Sequence, residues 1–128
     1  DKYGKKEYEY SDAEELEVPL AILINGYSAS ASEVLAGAVK DHEKGTLIGT
    51  NSFGKGLVQV LEELEDGSGI KITVSTYFTP SGKSIHGIGI SPDIEVDLPE
   101  EYKNLPLSDI PREEDVQFKK AVELLKNM

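Results

Sequence analysis

The chain has 128 residues, of which 38% are hydrophobic, and its 24 acidic and 13 basic residues give a formal net charge of -11. This length supports one ordinary globular domain, and the acidic excess argues against binding to nucleic acid or to anionic membranes. The absence of cysteine excludes disulfides, zinc-thiolate sites and cysteine nucleophiles.

The first part of the sequence predicts a peripheral segment followed by a buried strand. Residues 1–17 are charged and contain Tyr3, Tyr8 and Tyr10, which favours a peripheral strand or a loosely held arm. Residues 18–24 form an uninterrupted apolar run that is too short to cross a bilayer. Such a run is typical of a strand that is covered on both faces in a mixed or parallel sheet.

A helix and a second buried strand follow this run. The helix is predicted over residues 31–44, where the side chains that recur at helical spacing are Val34, Leu35, Ala38 and His42. The small residues Ala36 and Gly37 leave room for close packing, and residues 46–50 form the next strand. The order strand, helix, strand predicts a right-handed crossover unit. The carboxyl end of its first strand is where open α/β sheets place their chemistry.

The second half of the chain predicts a hairpin, an edge strand and a terminal helix. Residues 57–64 and 70–78 are strand patterns joined by a turn that contains Asp-Gly. A second turn covers residues 79–82, and residues 88–96, interrupted by Pro92, predict a short edge strand.

The terminal helix is expected over residues 113–126, with the acidic residues 113–115 in its first turn. Its predicted inward side chains are Val116, Ala121, Val122 and Leu125.

The segment Ser28-Ala29-Ser30-Ala31-Ser32-Glu33 lies between the first strand and the helix and contains the candidate nucleophile. Ser30 and Glu33 fit a capping box, so the simplest role of Ser30 is to cap the helix. A helix start also presents free amides, and the amide of Ala31 could donate to the oxyanion of a tetrahedral intermediate. Capping by Ser28 or Ser32 instead would leave Ser30 free to react.

Lys55, in Phe53-Gly54-Lys55-Gly56, is the best candidate for the base that a serine nucleophile needs. The simplest interpretation is a solvated lysine in a glycine-rich turn. The flanking glycines, however, permit close approach of another segment, and strand periodicity places Gln59 on the same face, where it could orient the amine. This role requires burial that lowers the pKa of the lysine by about three pH units.

Other polar residues have simpler interpretations. Asp41 is most often a solvated carboxylate or the partner of a nearby cation. His42 and His86 are a helix-face and a turn residue, and no third ligand is spaced for a metal, so no metal or cofactor is expected. The glycines that precede Lys55 imitate a phosphate-binding loop, but strand-like sequence follows where a helix would be required, which argues against nucleotide binding.

Three segments carry a resemblance to a known family, namely PLAILINGYSASASEVLAGAVKDH, GTNSFGKGLVQ and DGSGIKITVSTYFTPSGKSIHGIGISPDI. Over about residues 19–95 they resemble the C-terminal processing, or tail-specific, serine peptidases. The resemblance implies that Ser30 is the nucleophile, Lys55 the general base and Gln59 the support of that lysine. It also implies that the Ala31 amide belongs to the oxyanion hole and that Asp41 has a supporting role, as in some members.

The resemblance further implies a crotonase-like α/β fold with a mixed sheet and packed helices. It implies an extracytoplasmic location in bacteria, periplasmic or membrane-anchored, and cleavage of protein substrates near unstructured apolar C-terminal tails. Residues 1–128 contain neither a PDZ domain nor the Asn-Pro-Gly-Gly type segment that supplies the other oxyanion amide. The chain is therefore expected to be the C-terminal part of a peptidase catalytic domain, nearly inactive alone.

Two further expectations concern the partners and the wall of the site. An incomplete domain leaves sheet edges and apolar faces uncovered, which favours a homo-oligomer or a strand-exchanged dimer. Where members often have Asn-Glu-Gly before the serine segment, this chain has Asn25-Gly26-Tyr27, a change expected to alter the pocket wall.

Two alternatives from other functional classes stay open. A crotonase-like enzyme acting on thioesters would use oxyanion amides without a serine and lysine pair. A non-catalytic protein-binding module would keep the fold and the capping box and would tolerate loss of both side chains.

Overall fold

A computed structural model describes residues 8–12, 14 and 16–128. Its elements follow in the order β1 Ala21–Ile24, α1 Ala31–Asp41, β2 Thr46–Gly49, β3 Leu57–Glu63, β4 Gly69–Thr76, β5 Ile94–Glu95, a 3-10 turn Leu107–Asp109 and α2 Val116–Lys126. In the described part of the chain, no helix has the length and apolar character needed to cross a membrane.

The predicted strand, helix, strand unit is confirmed. β1 and β2 pair in parallel from Ala21 opposite Thr46 to Ile24 opposite Gly49, and α1 connects them. The edge strand β5 pairs in parallel with β2 but has only two residues, which is shorter than the predicted residues 88–96. The sheet order is β1, β2, β5, so the carboxyl end of β1 leads directly into the segment that contains Ser30.

Parallel and antiparallel pairing both occur, but in two separate sheets. β3 and β4 form an antiparallel hairpin with an irregularity between Val58 and Gln59. Every residue of β4 is exposed, and Ile70, Ile72 and Val74 on this strand are 47%, 43% and 55% exposed. The hairpin was predicted correctly, and its apolar residues remain largely uncovered by the rest of the described chain.

The core lies between α1 and the parallel sheet. Its buried side chains are Ile24, Ala36, Val39, Leu47, Ile85 and Ile90. The predicted inward face of α1 was wrong, because Val34 and Leu35 are 46% and 57% exposed. The helix instead buries the face that carries Ala36 and Gly37, since small side chains let its backbone approach the neighbouring segments closely. A Cβ atom on Gly37 would lie 3.0 Å from the side chain of Ile90.

The terminal helix α2 begins at Val116, so the acidic run precedes the helix and does not form its first turn. Asp115 is the N-cap and accepts a hydrogen bond from the amide of Phe118 at 2.9 Å. Ala121 is buried as predicted, but Leu125 is 38% exposed. Gln117 is buried instead and donates to the carbonyl oxygen of Val96 at 2.8 Å. This contact favours packing of the α2 face that carries Gln117 against the rest of the chain.

The structure tests only part of the prediction for residues 1–17, which was a peripheral strand or a loosely held arm. Tyr3, with the rest of residues 1–7, lies outside the described residues. Tyr8 and Tyr10 are exposed, stack on each other with ring centroids 6.2 Å apart, and belong to no strand.

Candidate active site

Ser30 occupies a strained turn between β1 and α1. Its φ of 58° and ψ of -115° are uncommon for a residue other than glycine. Such strain costs about 1 to 3 kcal/mol, persists only when surrounding contacts enforce it, and is concentrated at functional sites. Ser30 is also half-buried. The turn therefore carries a structural signature of function that is independent of any sequence motif.

The predicted capping box at Ser30 is confirmed, because the Ser30 side chain faces the amide of Glu33 and the Glu33 carboxylate faces the amide of Ser30. The amide of Ser30 donates to Oε2 of Glu33 at 3.0 Å. The Ser30 side chain faces the start of the helix, yet no cap hydrogen bond to its hydroxyl has regular geometry. Ser28 does not cap the helix in its place, because its hydroxyl accepts from the amide of Asn25 at 3.1 Å. The Ser30 hydroxyl is thus held only loosely at the start of the helix.

The Glu33 carboxylate is the centre of this site. Its residue is only 1% exposed, and four hydrogen-bond donors converge on it. Oε1 accepts from the Ser52 hydroxyl at 2.5 Å and from the Gly54 amide at 2.6 Å. Oε2 accepts from the Lys55 amide at 2.8 Å and from the Ser30 amide at 3.0 Å. One carboxylate oxygen therefore holds the backbones of both candidate dyad residues.

These contacts determine the charge of Glu33. Burial alone raises the pKa of Glu33, but the hydrogen bonds from Ser52, Gly54, Lys55 and Ser30 outweigh it and hold the pKa below the ordinary value of 4.5. A buried carboxylate that receives several hydrogen bonds is stable in its charged form. Glu33 is therefore an anion at neutral pH, and its bonds to the two loops are charge-assisted.

The glycines beside Lys55 allow the close backbone approach that the sequence predicted. A Cβ atom on Gly56 would lie 2.6 Å from the amide nitrogen of His86, and one on Gly54 would lie 3.0 Å from that of Gly89. The Gly87 amide donates to the carbonyl oxygen of Gly54 at 2.9 Å. The backbone of the loop that carries Lys55 is thus fixed on one side by Glu33 and on the other by residues 86–89.

The side chain of Lys55 is exposed. The described residues therefore fix its backbone but do not supply the burial that a neutral lysine base requires.

Gln59 lies on β3, directly opposite Thr73 on β4. Its carboxamide nitrogen donates to Oγ1 of Thr73 at 3.0 Å. This bond fixes the orientation of the carboxamide. No hydrogen bond joins Gln59 to Lys55 within the described part of the chain, so its supporting role stays a prediction.

The Ala31 amide is the first of α1, where backbone amides have no partner inside the helix. Across residues 16–128, no acceptor receives a hydrogen bond from it. It is therefore available to stabilise negative charge beside Ser30.

Asp41 lies at the other end of α1, about 16 Å from Ser30 along the helix axis. Its carboxylate accepts from the Ser81 amide at 2.8 Å. Hydrogen bonds from the Thr79 side chain and from the Ser81 amide and hydroxyl lower the pKa of Asp41 to about 2. These contacts join the helix to the turn after β4 and do not bring Asp41 to Ser30.

Sequence reasoning missed two side chains that hold the segments of the candidate site together. Glu33 was assigned only to helix capping, and Ser52 was not selected at all. The Ser52 hydroxyl donates to Glu33 and accepts from the Ile90 amide at 2.7 Å, so it joins three segments that are distant in sequence. The one available signal was a glutamate on the helix face that also carries small residues, because such a face packs closely and buries the carboxylate.

Comparisons with known proteins point to one family. A sequence model of peptidase family S41 matches residues 1–96. The carboxy-terminal-processing protease of Bartonella bacilliformis is 56% identical over 89 residues, covering 68% of this chain and 20% of that protein. The carboxyl-terminal-processing protease of Synechocystis sp. is 47% identical over 107 residues, covering 84% of this chain and 24% of that protein.

Solved structures give the same result. The photosystem II D1 C-terminal processing protease matches with a TM-score of 0.58 at 53% identity, covering 62% of this chain and 20% of that one. Mature CPAF matches with a TM-score of 0.60 at 21% identity, covering 86% of this chain and 19% of that one, which shows likeness of fold alone. The chain spans about a fifth of the length of the curated relatives it matches. The predicted resemblance to C-terminal processing peptidases is confirmed.

Proposed function

The chain belongs to peptidase family S41, and on that premise we propose that it carries the nucleophile Ser30 and the general base Lys55 of a serine endopeptidase. The observation that carries the proposal is the convergence of the Ser30 and Lys55 amides on Oε2 of Glu33. A nucleophile and its base must be held in a fixed mutual position, and a buried anion between their backbones does this without consuming either side chain.

The proposed reaction is acyl transfer through Ser30. Neutral Lys55 removes the proton of the Ser30 hydroxyl while Oγ attacks the substrate carbonyl, which forms a tetrahedral intermediate. The Ala31 amide donates to the oxyanion. Lys55 then passes its proton to the departing amine as the peptide bond breaks. A water molecule, deprotonated by Lys55 in the same way, hydrolyses the acyl-enzyme and releases Ser30.

The exposure of Lys55 defines what this chain requires for activity. A general base must be neutral, and burial favours the neutral form of a lysine side chain. We infer that another part of a longer protein, or the bound substrate, covers Lys55 in the active enzyme. In this proposal the carboxamide oxygen of Gln59 accepts a hydrogen bond from the amine, and the bond of its nitrogen to Thr73 supports that orientation.

We further propose a crotonase-like fold for the complete domain, with residues 1–128 as the C-terminal part of its catalytic unit. The parallel β1, α1, β2 unit and the separate hairpin support this assignment. Protein substrates with unstructured apolar C-terminal tails and an extracytoplasmic location rest on the family resemblance.

The experiment is degradation of an unfolded, apolar-tailed protein by the full-length enzyme. Ser30→Ala and Lys55→Ala should each lower turnover at least about a thousandfold, because each removes a member of the reacting pair. Ser11→Ala and Lys71→Ala are matched controls, since both residues are exposed and lie outside the site. These controls should retain wild-type turnover.

The outcomes separate the alternatives. Undiminished cleavage by both site variants would show that Ser30 is only a helix-start residue and would favour a binding module. Thioester turnover that survives Lys55→Ala would favour the crotonase-like thioester enzyme, which needs oxyanion amides but no lysine base.

Self-association of the isolated chain is a separate proposal. It is supported by the exposed apolar residues Ile70, Ile72 and Val74 on the hairpin. Sedimentation of residues 1–128 should show a concentration-dependent dimer or larger oligomer. A monomer that persists over a wide concentration range would contradict it.

A further inference from the structure

The turn that leads from β1 to Ser30 contains the only Asn-Gly pair in the sequence, Asn25-Gly26. Glycine has no side chain to shield its backbone nitrogen, so this nitrogen is sterically open to react with the asparagine side chain. Gly26 is exposed, and a Cβ atom built on it would meet nothing within 4 Å. We propose that Asn25 is a site of spontaneous deamidation and that the isoaspartate formed there inactivates the neighbouring site.

The proposed modification needs no reactant other than water. The backbone nitrogen of Gly26 attacks Cγ of Asn25, the bond from Cγ to Nδ2 breaks, and Nδ2 leaves as ammonia with the proton of the Gly26 amide. Water then opens the resulting succinimide ring. Opening at Cγ gives aspartate in an unchanged main chain. Opening at the backbone carbonyl carbon gives isoaspartate, whose main chain runs through Cγ and is one carbon longer.

The turn holds the reacting groups of Asn25 and Gly26 together. Oδ1 of Asn25 accepts a hydrogen bond from the Tyr27 amide at 2.9 Å, and the carbonyl oxygen of Asn25 accepts one from the Ser28 amide at 2.8 Å. The first bond closes a ring of atoms that includes Cγ of Asn25 and the nitrogen of Gly26. It also places a donor at the oxygen that becomes negative when the nitrogen attacks Cγ. Such a fixed turn lowers the entropy cost of cyclisation relative to a free chain.

No competing hydrogen bond holds the attacking nitrogen or the leaving group. Within residues 16–128, the Gly26 amide donates to no acceptor, and Nδ2 of Asn25 has no hydrogen bond. Neither group therefore has to break a contact in the described part of the chain before it reacts.

Asn51 provides an internal contrast. Its Nδ2 donates to the carbonyl oxygen of Ile88 at 2.7 Å, and its Oδ1 accepts from the Ser91 hydroxyl at 2.9 Å. The amide of the next residue, Ser52, donates to the carbonyl oxygen of Ile90 at 3.1 Å. Cyclisation must first break these bonds, so the folded state protects this asparagine from deamidation.

Isoaspartate at position 25 would change the backbone that positions Ser30. The Ser28 carbonyl oxygen accepts from the Phe53 amide at 3.0 Å, so the same turn is joined to the loop that carries Lys55. An added main-chain carbon shifts this connection by about 1 Å, and a displacement of that size can lower turnover about a hundredfold. The modification itself does not depend on the proposed peptidase function, and only its effect on turnover rests on that function.

The first measurement is the rate of deamidation at each asparagine of the full-length protein at mildly alkaline pH, by peptide mass spectrometry that separates aspartate from isoaspartate. Peptides with residues 20–30 and 46–56 give the reference rates without tertiary structure. Asn25 should react at least as fast in the protein as in its peptide, because the turn holds the reacting groups together. Asn51 should react at least about tenfold more slowly in the protein than in its peptide, because folding protects it.

The second measurement is turnover of an unfolded, apolar-tailed protein during the same incubation. Wild-type turnover should fall in proportion to the isoaspartate formed at position 25. Treatment with an L-isoaspartyl methyltransferase and S-adenosylmethionine should restore turnover, because it converts isoaspartate to aspartate. Gly26→Ala is the matched variant, since its Cβ meets nothing within 4 Å but hinders the attack on Cγ. In this variant, deamidation and the loss of turnover relative to fresh protein should be slower by the same factor.

Either of two results overturns the inference. Protection of Asn25 by folding, to the degree expected for Asn51, would show that the turn does not favour the reaction. Full turnover in protein that carries mostly isoaspartate at position 25 would show that the modification does not disturb the site. Cleavage that survives Ser30→Ala overturns the peptidase function instead, and the measured rates of deamidation stand without it.

Discussion

Replacement of Glu33 by glutamine would test the organisation of the site most directly. The carboxamide has nearly the same shape but presents an NH2 group where the carboxylate had an oxygen. With the NH2 group at the Oε2 position, the amides of Ser30 and Lys55 would both face another donor. With the NH2 group at the Oε1 position, the Gly54 amide would face a donor, whereas the Ser52 hydroxyl can accept from it. One or two hydrogen bonds to a charged group are therefore lost, each worth about 1.5 to 3 kcal/mol.

Amide hydrogen exchange measures this loss locally in the full-length protein. The Ser30 amide and those of Gly54 and Lys55 donate to Glu33. A loss of about 1.5 to 3 kcal/mol at an amide should raise its exchange rate about ten- to a hundredfold in Glu33→Gln, either at Gly54 or at Ser30 and Lys55 together. Turnover should fall in parallel, because the two backbones are no longer held together. Glu62→Gln, an exposed glutamate on β3, is the control and should change neither quantity.

The pH dependence of amide protection tests the charge of Glu33 in a second way. The pKa of Glu33 is lowered on folding from 4.5, so its contribution to stability is present above 4.5 and is lost as the pH falls through the lowered pKa. In wild type, the protection of the Lys55 amide against hydrogen exchange should therefore fall in acid. In Glu33→Gln, its protection should show no such fall over the same pH range. Protection and turnover in Glu33→Gln that match wild type would refute the reasoning.

Two other predictions concern the scaffold. The pKa of Asp41 is lowered from 3.8 to about 2, so its contribution to stability should disappear as the pH falls from 3.8 towards 2. Asp41→Asn should flatten the stability curve in that interval, as measured by urea unfolding at each pH; an unchanged curve would contradict the assignment. Gly56→Ala should destabilise the protein by about 1 to 3 kcal/mol, because its Cβ would lie 2.6 Å from the amide nitrogen of His86. Gly26→Ala, which meets nothing within 4 Å, is the control, and equal urea midpoints for the two variants would argue against a steric role for Gly56.

Local sequence pattern predicted most of the elements. The apolar runs at β1 and β2, the Asp-Gly turn of the hairpin and the small-residue pair Ala36 and Gly37 act over a few residues, so their effects can be read directly from the chain. Local pattern alone favoured a helix cap at Ser30 and a solvated lysine at Lys55, and the family resemblance implied their roles as nucleophile and base.

Tertiary structure alone decided which groups these elements bring together. The buried face of α1 could not be read from hydrophobic periodicity, because the small residues pack inward and leave Val34 and Leu35 exposed. The role of Glu33 depends on donors from residues 52–55. These residues follow β2, and they reach Glu33 only because β2 pairs in parallel with β1. The helical and strand periods predict which side chains of one element share a face. A buried anion, by contrast, is stable only where segments distant in sequence supply enough hydrogen bonds to compensate its desolvation.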